Sequence, residues 1–236
     1  MKLHYKIVIL ISLFAIFLLL NGGSKPIHSV ETDKNVLAIT FDAAWGAENT
    51  EYLLNILSEK NVKATFFLCG YWVKNYPDLV KKIHGSGHDI ANHGNTHINC
   101  SDISKEQVQE EILGTHEKVY DLIGMEMDLF RPPYGAYNSV LMEMAKELGY
   151  HVVKWNVDSF DWMNKGVQFE TDHVLNNKNL QNGAIILFHN GAKDTLEALP
   201  AIIEGLRAKG YEFVSVSELI IRENYTVDEM GRQRAI

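Results

Sequence analysis

From Val36 onward the chain alternates short, mostly apolar runs with longer segments whose apolar residues recur every three or four positions. The first kind reads as buried strands and the second as helices. Val36–Phe41 predicts a strand, and Glu48–Lys60 a helix with Leu53, Leu54 and Leu57 facing inward. Ala64–Cys69 predicts a second strand ended by Gly70, Pro77–His84 a helix with proline in its first turn, and His88–Asn92 a third strand. Ser104 with Gln107 three residues on has the form of a capping box, so a helix is expected from there to about Ile123, stopped by Gly124. Strands are then expected at Leu129–Phe130, His151–Val157, Gly183–His189 and Tyr211–Val214. Helices are expected at Ser139–Leu148, Leu196–Lys209 and Ser217–Arg222.

Strand–helix units that follow one another without a linker imply a mostly parallel sheet with buried strands. No G-x-G-x-x-G follows the first strand, so a dinucleotide fold has no support. The expected fold is α/β: a single-domain, distorted (β/α) barrel, TIM-like and seven-stranded, over residues 36–222. Residues 24–35 read as a linker, and residues 223–236, polar and without periodicity, as a solvated C-terminal tail.

The N-terminus departs from this pattern. Lys2 and Lys6 precede an apolar run, Ile7–Leu20, followed by Asn21-Gly22-Gly23-Ser24. A basic start, a short apolar middle and small polar residues have the shape of a secretory signal. No A-x-A-like cleavage site follows, so residues 1–23 read as either a signal peptide or an N-terminal membrane anchor. Either reading places the remainder outside the cytoplasm, secreted or held at the outer face of the membrane. A net charge of −8 on 236 residues argues against a nucleic-acid binder, which needs a basic face. The two cysteines, Cys69 and Cys100, have no metal-type spacing, and whether they pair is open.

The unusual polar residues share an address. Asp42 follows the first strand, His93 and His97 (HGNTH) the third, and Arg131 (RPPYG) the next. Asp158, Asp161 and Trp162 (DSFDW) follow HVVKWNV, and His189 ends GAIILFH. All lie at the C-terminal ends of expected strands, which in a parallel barrel is one face of the molecule. Two imidazoles four residues apart can reach one divalent ion. An arginine on a proline-stiffened loop can lock a nearby carboxylate.

In this order, TFD, HxxxH, RPPYG, DxxDW and LxH resemble the five motifs of the polysaccharide deacetylases, metal-dependent carbohydrate esterases that remove N-acetyl groups from chitin-like sugars or peptidoglycan. The TFDAAWG and DSFDWMN forms look most like the sporulation-associated branch. The resemblance implies hydrolysis of amide bonds in an N-acetylated cell-wall glycan, with His93 and His97 holding a divalent metal, Zn²⁺ first, Co²⁺ or another first-row ion otherwise. It implies Asp42 as general base, Arg131 as its orienting partner, His189 as general acid and Asp161 as the group that keeps His189 protonated. It implies the backbone N–H of Tyr134 as an oxyanion donor, and Trp162 and Leu187 as walls for the acetate methyl. Membrane contact is expected only through the N-terminal segment.

One position departs. The family's base aspartate is usually followed at once by a second aspartate that ligates the metal, and here Ala43 stands in that place. Asp89, Asn92, Asn95 and Glu48 are the polar candidates in the sequence for a surrogate ligand. The alternative reading is therefore a catalytically degenerate glycan-binding protein of the same fold.

Overall fold

The structure, a computed structural model, describes residues 25–236. The signal or anchor expected at residues 1–23 lies outside them. Among the described residues, no helix is long and apolar enough to cross a membrane.

The fold is built on β2 (Val36–Ala43), buried along almost its whole length. To one side lie β3 (Thr65–Leu68), β4 (Asp89–Asn92), β5 (Leu129–Phe130) and β6 (His151–Val152), and to the other β8 (Ile185–His189) and β7 (Val157–Asp158). All these pairings are parallel, and β9 (Glu212–Phe213) adds a short parallel pairing at the start of β2. The two-residue alternation of a strand divides the core. Leu37, Ile39, Phe41, Phe66, Ile186 and Phe188 pack in the larger cluster, which includes the buried helix residues. Ala38, Phe67, Ala91, Leu129, Val153 and Ile185 form the smaller one on the concave side, joined by Val216 and Leu219 of the short helix α8 (Val216–Leu219). The result is a single α/β domain with a curled, seven-stranded parallel half-barrel, the distorted barrel expected from the sequence.

Its helices are α1 (Thr50–Glu59), α2 (Gly70–Asn75), α3 (Pro77–Gly85), α4 (Lys105–Ile123), α5 (Ser139–Glu147), α6 (Val167–Leu175), α7 (Thr195–Ala208) and α8. The Ser104–Gln107 capping box forms in full, and α4 stops at Gly124 in the left-handed region at φ 69°. Two helices were not expected. α2 is too short to show a period, and α6 buries Glu170 where an apolar residue would mark the inner face.

The expected strand His151–Val157 is two strands, and they form the opposite edges of the sheet. β6 pairs with β5 and β7 with β8, and the chain between them leaves the ladder. Asn156 explains the break, because its side chain accepts from Ile185 N–H and donates to the Asn179 carbonyl in place of a backbone ladder. Residues beside the gap bind both sides of it. Ile27 N–H donates to the Val152 carbonyl, Lys154 N–H to the Ile27 carbonyl, and Val30 N–H to the Gly183 carbonyl. Only glycine fits at 183, where φ is +75° and a Cβ would stand 1.8 Å from the Val30 oxygen.

The stretches read as linker and tail are also ordered. β1 (Ser29–Val30), β11 (Arg232–Ala235) and β10 (Tyr225–Val227) form a second sheet, with β11 in the middle. Polarity did not prevent this because the charges are paired: Arg232 and Arg234 meet Glu31, and Arg234 also meets Asp228 at 3.0 Å. Gln233, wholly buried, exchanges two hydrogen bonds with the backbone of Ile221.

Candidate active site

Strand register places the site. Asp42 at the end of β2 is the direct partner of His189 at the end of β8. By alternation both point to the concave side, the side of Ala38 and Ile185. Seven of the nine expected site residues, Asp42, His93, His97, Tyr134, Trp162, Leu187 and His189, line one cavity of about 680 Å³, while Arg131 and Asp161 are buried behind it. Sequence reasoning did not single out Trp45, Trp155 and Asn190, which line it too. A tryptophan three residues after Asp42, in the loop leaving its strand, is the signal that was available for Trp45.

Arg131 is completely buried beside Asp42. Its Nη1 donates to Asp42 Oδ1 at 2.7 Å and to Thr40 Oγ1 at 2.9 Å, its Nη2 to the Lys154 carbonyl at 3.0 Å, and its plane lies 3.8 Å from the centre of the Phe67 ring. Burial pulls the Asp42 pKa upward, but Arg131 foremost, then His93 and His189, outweigh it and hold the carboxyl below its ordinary value. Asp42 is therefore an ionised acceptor fixed in one orientation.

On the other side of Asp42, the His93 Nδ1–H donates to the Arg131 carbonyl at 2.8 Å. That bond fixes the tautomer and leaves the Nε2 lone pair facing Asp42 Oδ2 at 3.4 Å. Burial foremost holds His93 below its ordinary pKa, and it brings His97 down to about 4. Both rings are thus neutral at physiological pH and have the form that binds a metal. A neutral imidazole lone pair facing a carboxylate oxygen is an arrangement completed by a cation. His97, at φ 59°, meets His93, Trp45 and Tyr134 edge-on, with ring centres 4.4 to 5.1 Å apart.

The two histidines have a third companion that sequence spacing missed. Cys69 Sγ, His93 and His97 bring ligand atoms within 4.8 Å of one another, all buried. Both cysteines are free thiols, so no Cys69–Cys100 disulfide is present. None of the four polar candidates, Asp89, Asn92, Asn95 and Glu48, stands in for a carboxylate ligand. Asp89 is bonded to Thr65 and Ser217 at the other end of β4, and Asn92 holds the Ile112 carbonyl and Gly94 N–H. Asn95 accepts from Lys118, and Glu48, which lines the cavity, is solvent-exposed and bonded to Ala47 N–H.

The opposite wall is Asp161 and His189. Asp161 Oδ1 accepts from His189 Nδ1 at 2.7 Å and from Trp162 N–H at 2.7 Å. Its Oδ2 accepts from His189 N–H at 2.6 Å and from Thr195 Oγ1 at 3.3 Å. Burial alone would lower the His189 pKa, but Asp161 foremost, with Asp42 and Asp158, raises it above its ordinary value. Tyr134 sits in the left-handed region at φ 60° within the turn Pro133–Gly135, its ring 65% exposed, and Trp162 is 55% exposed. Leu187, two residues before His189 on the same strand face, is buried at the cavity wall.

Comparison with known proteins agrees with this arrangement. The polysaccharide deacetylase profile matches residues 29–153. A peptidoglycan-N-acetylglucosamine deacetylase of Bacillus cereus is 38% identical over 196 residues, covering 81% of this chain and 91% of that protein. YlxY of Bacillus subtilis, an uncharacterised protein, is 36% identical over 83% of this chain, which spans 60% of its length. Among solved structures, BA3943 of Bacillus anthracis, described as a CE4 family pseudoenzyme, superposes with a TM-score of 0.80 at 27% identity, covering 91% of this chain and 74% of that one. A mutant of BA3943 described as having restored enzymatic activity superposes equally well, at 28% identity over the same shares. With the profile matched over more than half of the chain, and with a relative 38% identical over 91% of its length, the chain belongs to the polysaccharide deacetylase family.

Proposed function

We propose that this chain hydrolyses the N-acetyl amide of an amino sugar in peptidoglycan, outside the cytoplasm, giving acetate and a free amine. The observation that carries the reading is the pair of opposed ion pairs, Arg131–Asp42 and Asp161–His189, on directly partnered residues of β2 and β8. One group is held ionised and the other protonated, which is the division of labour amide hydrolysis needs.

The residues present fit a divalent metal, with Zn²⁺ the first choice: two buried neutral imidazoles, one oriented by a backbone carbonyl, and a carboxylate facing a lone pair. When bound, the ion supplies polarisation of the acetyl carbonyl and a water of lowered pKa. Asp42 accepts the proton of the attacking water at Oδ2, the oxygen that Arg131 leaves free. Arg131 keeps that carboxylate ionised and fixed. The Tyr134 N–H donates to the oxyanion that develops on the acetyl group. His189 delivers the proton from Nε2 to the departing amine, because its Nδ1 is committed to Asp161. Trp162 and Leu187 bound the space for the methyl group.

Within this reading, the TFDAAWG and DSFDWMN forms favour a peptidoglycan of spore formation, and the N-terminal segment favours secretion or anchorage at the outer membrane face. A second reading, glycan binding without turnover, is favoured by Ala43, which cannot ligate a metal, and by the likeness to BA3943. Acetate release from N-acetylated peptidoglycan fragments with added Zn²⁺ or Co²⁺ separates the two. Release that disappears in Asp42→Asn supports hydrolysis, and binding of the same fragments with no acetate under either metal supports the second reading.

A further inference from the structure

Ala43 removes a negative charge and a ligand from the place where the family keeps both, and none of the four polar candidates named above takes its place. The fold offers a replacement from the neighbouring strand. Phe67 and Ala91 are register partners on β3 and β4, and both belong to the concave cluster. Leu68 and Asn92 are the next pair, and Cys69 and His93 the positions after that. Cys69 follows the end of β3 and His93 the end of β4, so the register sets the two side by side just beyond the strand ends, where Cys69 packs in the larger cluster beside Ala43. The contacts agree: Cys69 Sγ donates to the His93 carbonyl at 3.2 Å, and its ligand atom and those of His93 and His97 lie within 4.8 Å of one another.

We infer that Cys69 is the third protein ligand of the metal, taking the place of the carboxylate that Ala43 lacks, so that the centre is Cys-His-His with Asp42 left free as base. The inference rests on the metal-binding reading proposed above. A thiolate restores the single negative charge that an aspartate would bring. On binding, the Sγ–H bond breaks, its proton leaves to solvent, the hydrogen bond to the His93 carbonyl is lost and a sulfur–metal bond forms. Ligands of one tetrahedral zinc sit about 3.5 Å apart, so the three groups must draw in by about 1 Å. All three stand just outside the strands, on the segments that follow β3 and β4. A thiolate with two imidazoles also selects Zn²⁺ or Co²⁺ over Mg²⁺ or Mn²⁺, which oxygen ligands prefer.

The test is X-ray absorption of the full chain loaded with Zn²⁺, paired with the visible and near-ultraviolet spectrum of the Co²⁺ form. The expected result is one sulfur at about 2.3 Å beside nitrogen and oxygen at about 2.0–2.1 Å, with a sulfur-to-cobalt charge-transfer band. Cys69→Ser, nearly isosteric, should lose both signals and bind Zn²⁺ more weakly by at least the roughly 10–100-fold that losing an outer partner costs, while Cys100→Ser keeps them. Zinc bound through nitrogen and oxygen alone, or unchanged affinity in Cys69→Ser, overturns the Cys69 assignment and leaves the metal reading standing. Failure of the wild-type chain to bind zinc at all overturns both.

Discussion

The two walls of the cavity differ in how completely they are built. On the β7–β8 side, both oxygens of Asp161 are used: two protons come from His189, one from Trp162 and one from Thr195. On the β2–β4 side, Arg131 and His93 are as firmly held, but the strand end carries alanine where the family usually has a carboxylate, and a thiol stands nearby. The groups proposed to transfer protons keep their supports, whereas the corner proposed to hold the metal departs from the family pattern. A protein that had only to hold a glycan would have no need of a buried Arg131–Asp42 pair, since burying two charges is costly unless something uses them. The contrast therefore sets where the site is robust and where it is tunable.

The harshest way to break it is at Asp42. Asp42→Asn keeps the shape, removes the proton acceptor and should cut the rate of acetate release by about 10²–10⁴-fold, leaving glycan affinity within a fewfold. Loss of glycan binding as well would mean that Asp42 only shapes the cavity. Asp161→Asn attacks the complete wall and should cost about 10²-fold at neutral pH. Its sharper readout is the pH profile. Activity needs ionised Asp42, held low, and protonated His189, held high, so it falls toward acid through the first and toward alkali through the second. Removing the Asp161 charge lets burial pull the His189 pKa down, so the alkaline limb should move to lower pH while the acid limb stays. An unmoved alkaline limb would detach it from His189.

The metal corner should respond in the opposite direction. Ala43→Asp returns a carboxylate to the strand end and is expected to tighten Zn²⁺ binding by roughly 10-fold or more, with a matching gain in activity at limiting metal. Isothermal titration and rate against free zinc check this. No gain in either would mean that the centre is already closed without a carboxylate there.

How much of this could be read from the chain follows from the range of the interactions. Asp42, Arg131, Asp161 and His189 were legible because each sits at the C-terminal end of an apolar run, a local pattern. Cys69 was not, because what joins it to His93 is the register of β3 on β4, set by long-range pairing that no spacing records. The split of His151–Val157 was invisible for a related reason: its two halves are apolar alike, and only their different partners separate them. The strands at 225–227 and 232–235 carry the polar composition of a tail, and their order depends on Ser29 and Val30, some two hundred residues earlier.

Helix α6 escaped notice because Glu170 occupies its inner face, and the same residue gives the mildest prediction. Glu170 is buried with no well-formed hydrogen bond to either carboxyl oxygen, and only the Thr195 hydroxyl offers it weak support. Burial foremost, then the neighbouring Asp161 charge, pushes its pKa up to about 8. A carboxyl raised in the folded state favours folding fully only below its unfolded value, near 4.5. As pH climbs from there through about 8, the unfolded chain ionises more readily and stability is lost. Glu170→Gln, which stays neutral, should match the wild type near pH 5 and exceed it progressively at higher pH, by up to about 3 kcal/mol near pH 9. Urea melts at the two pH values check this, and parallel curves would show that Glu170 finds a partner in solution.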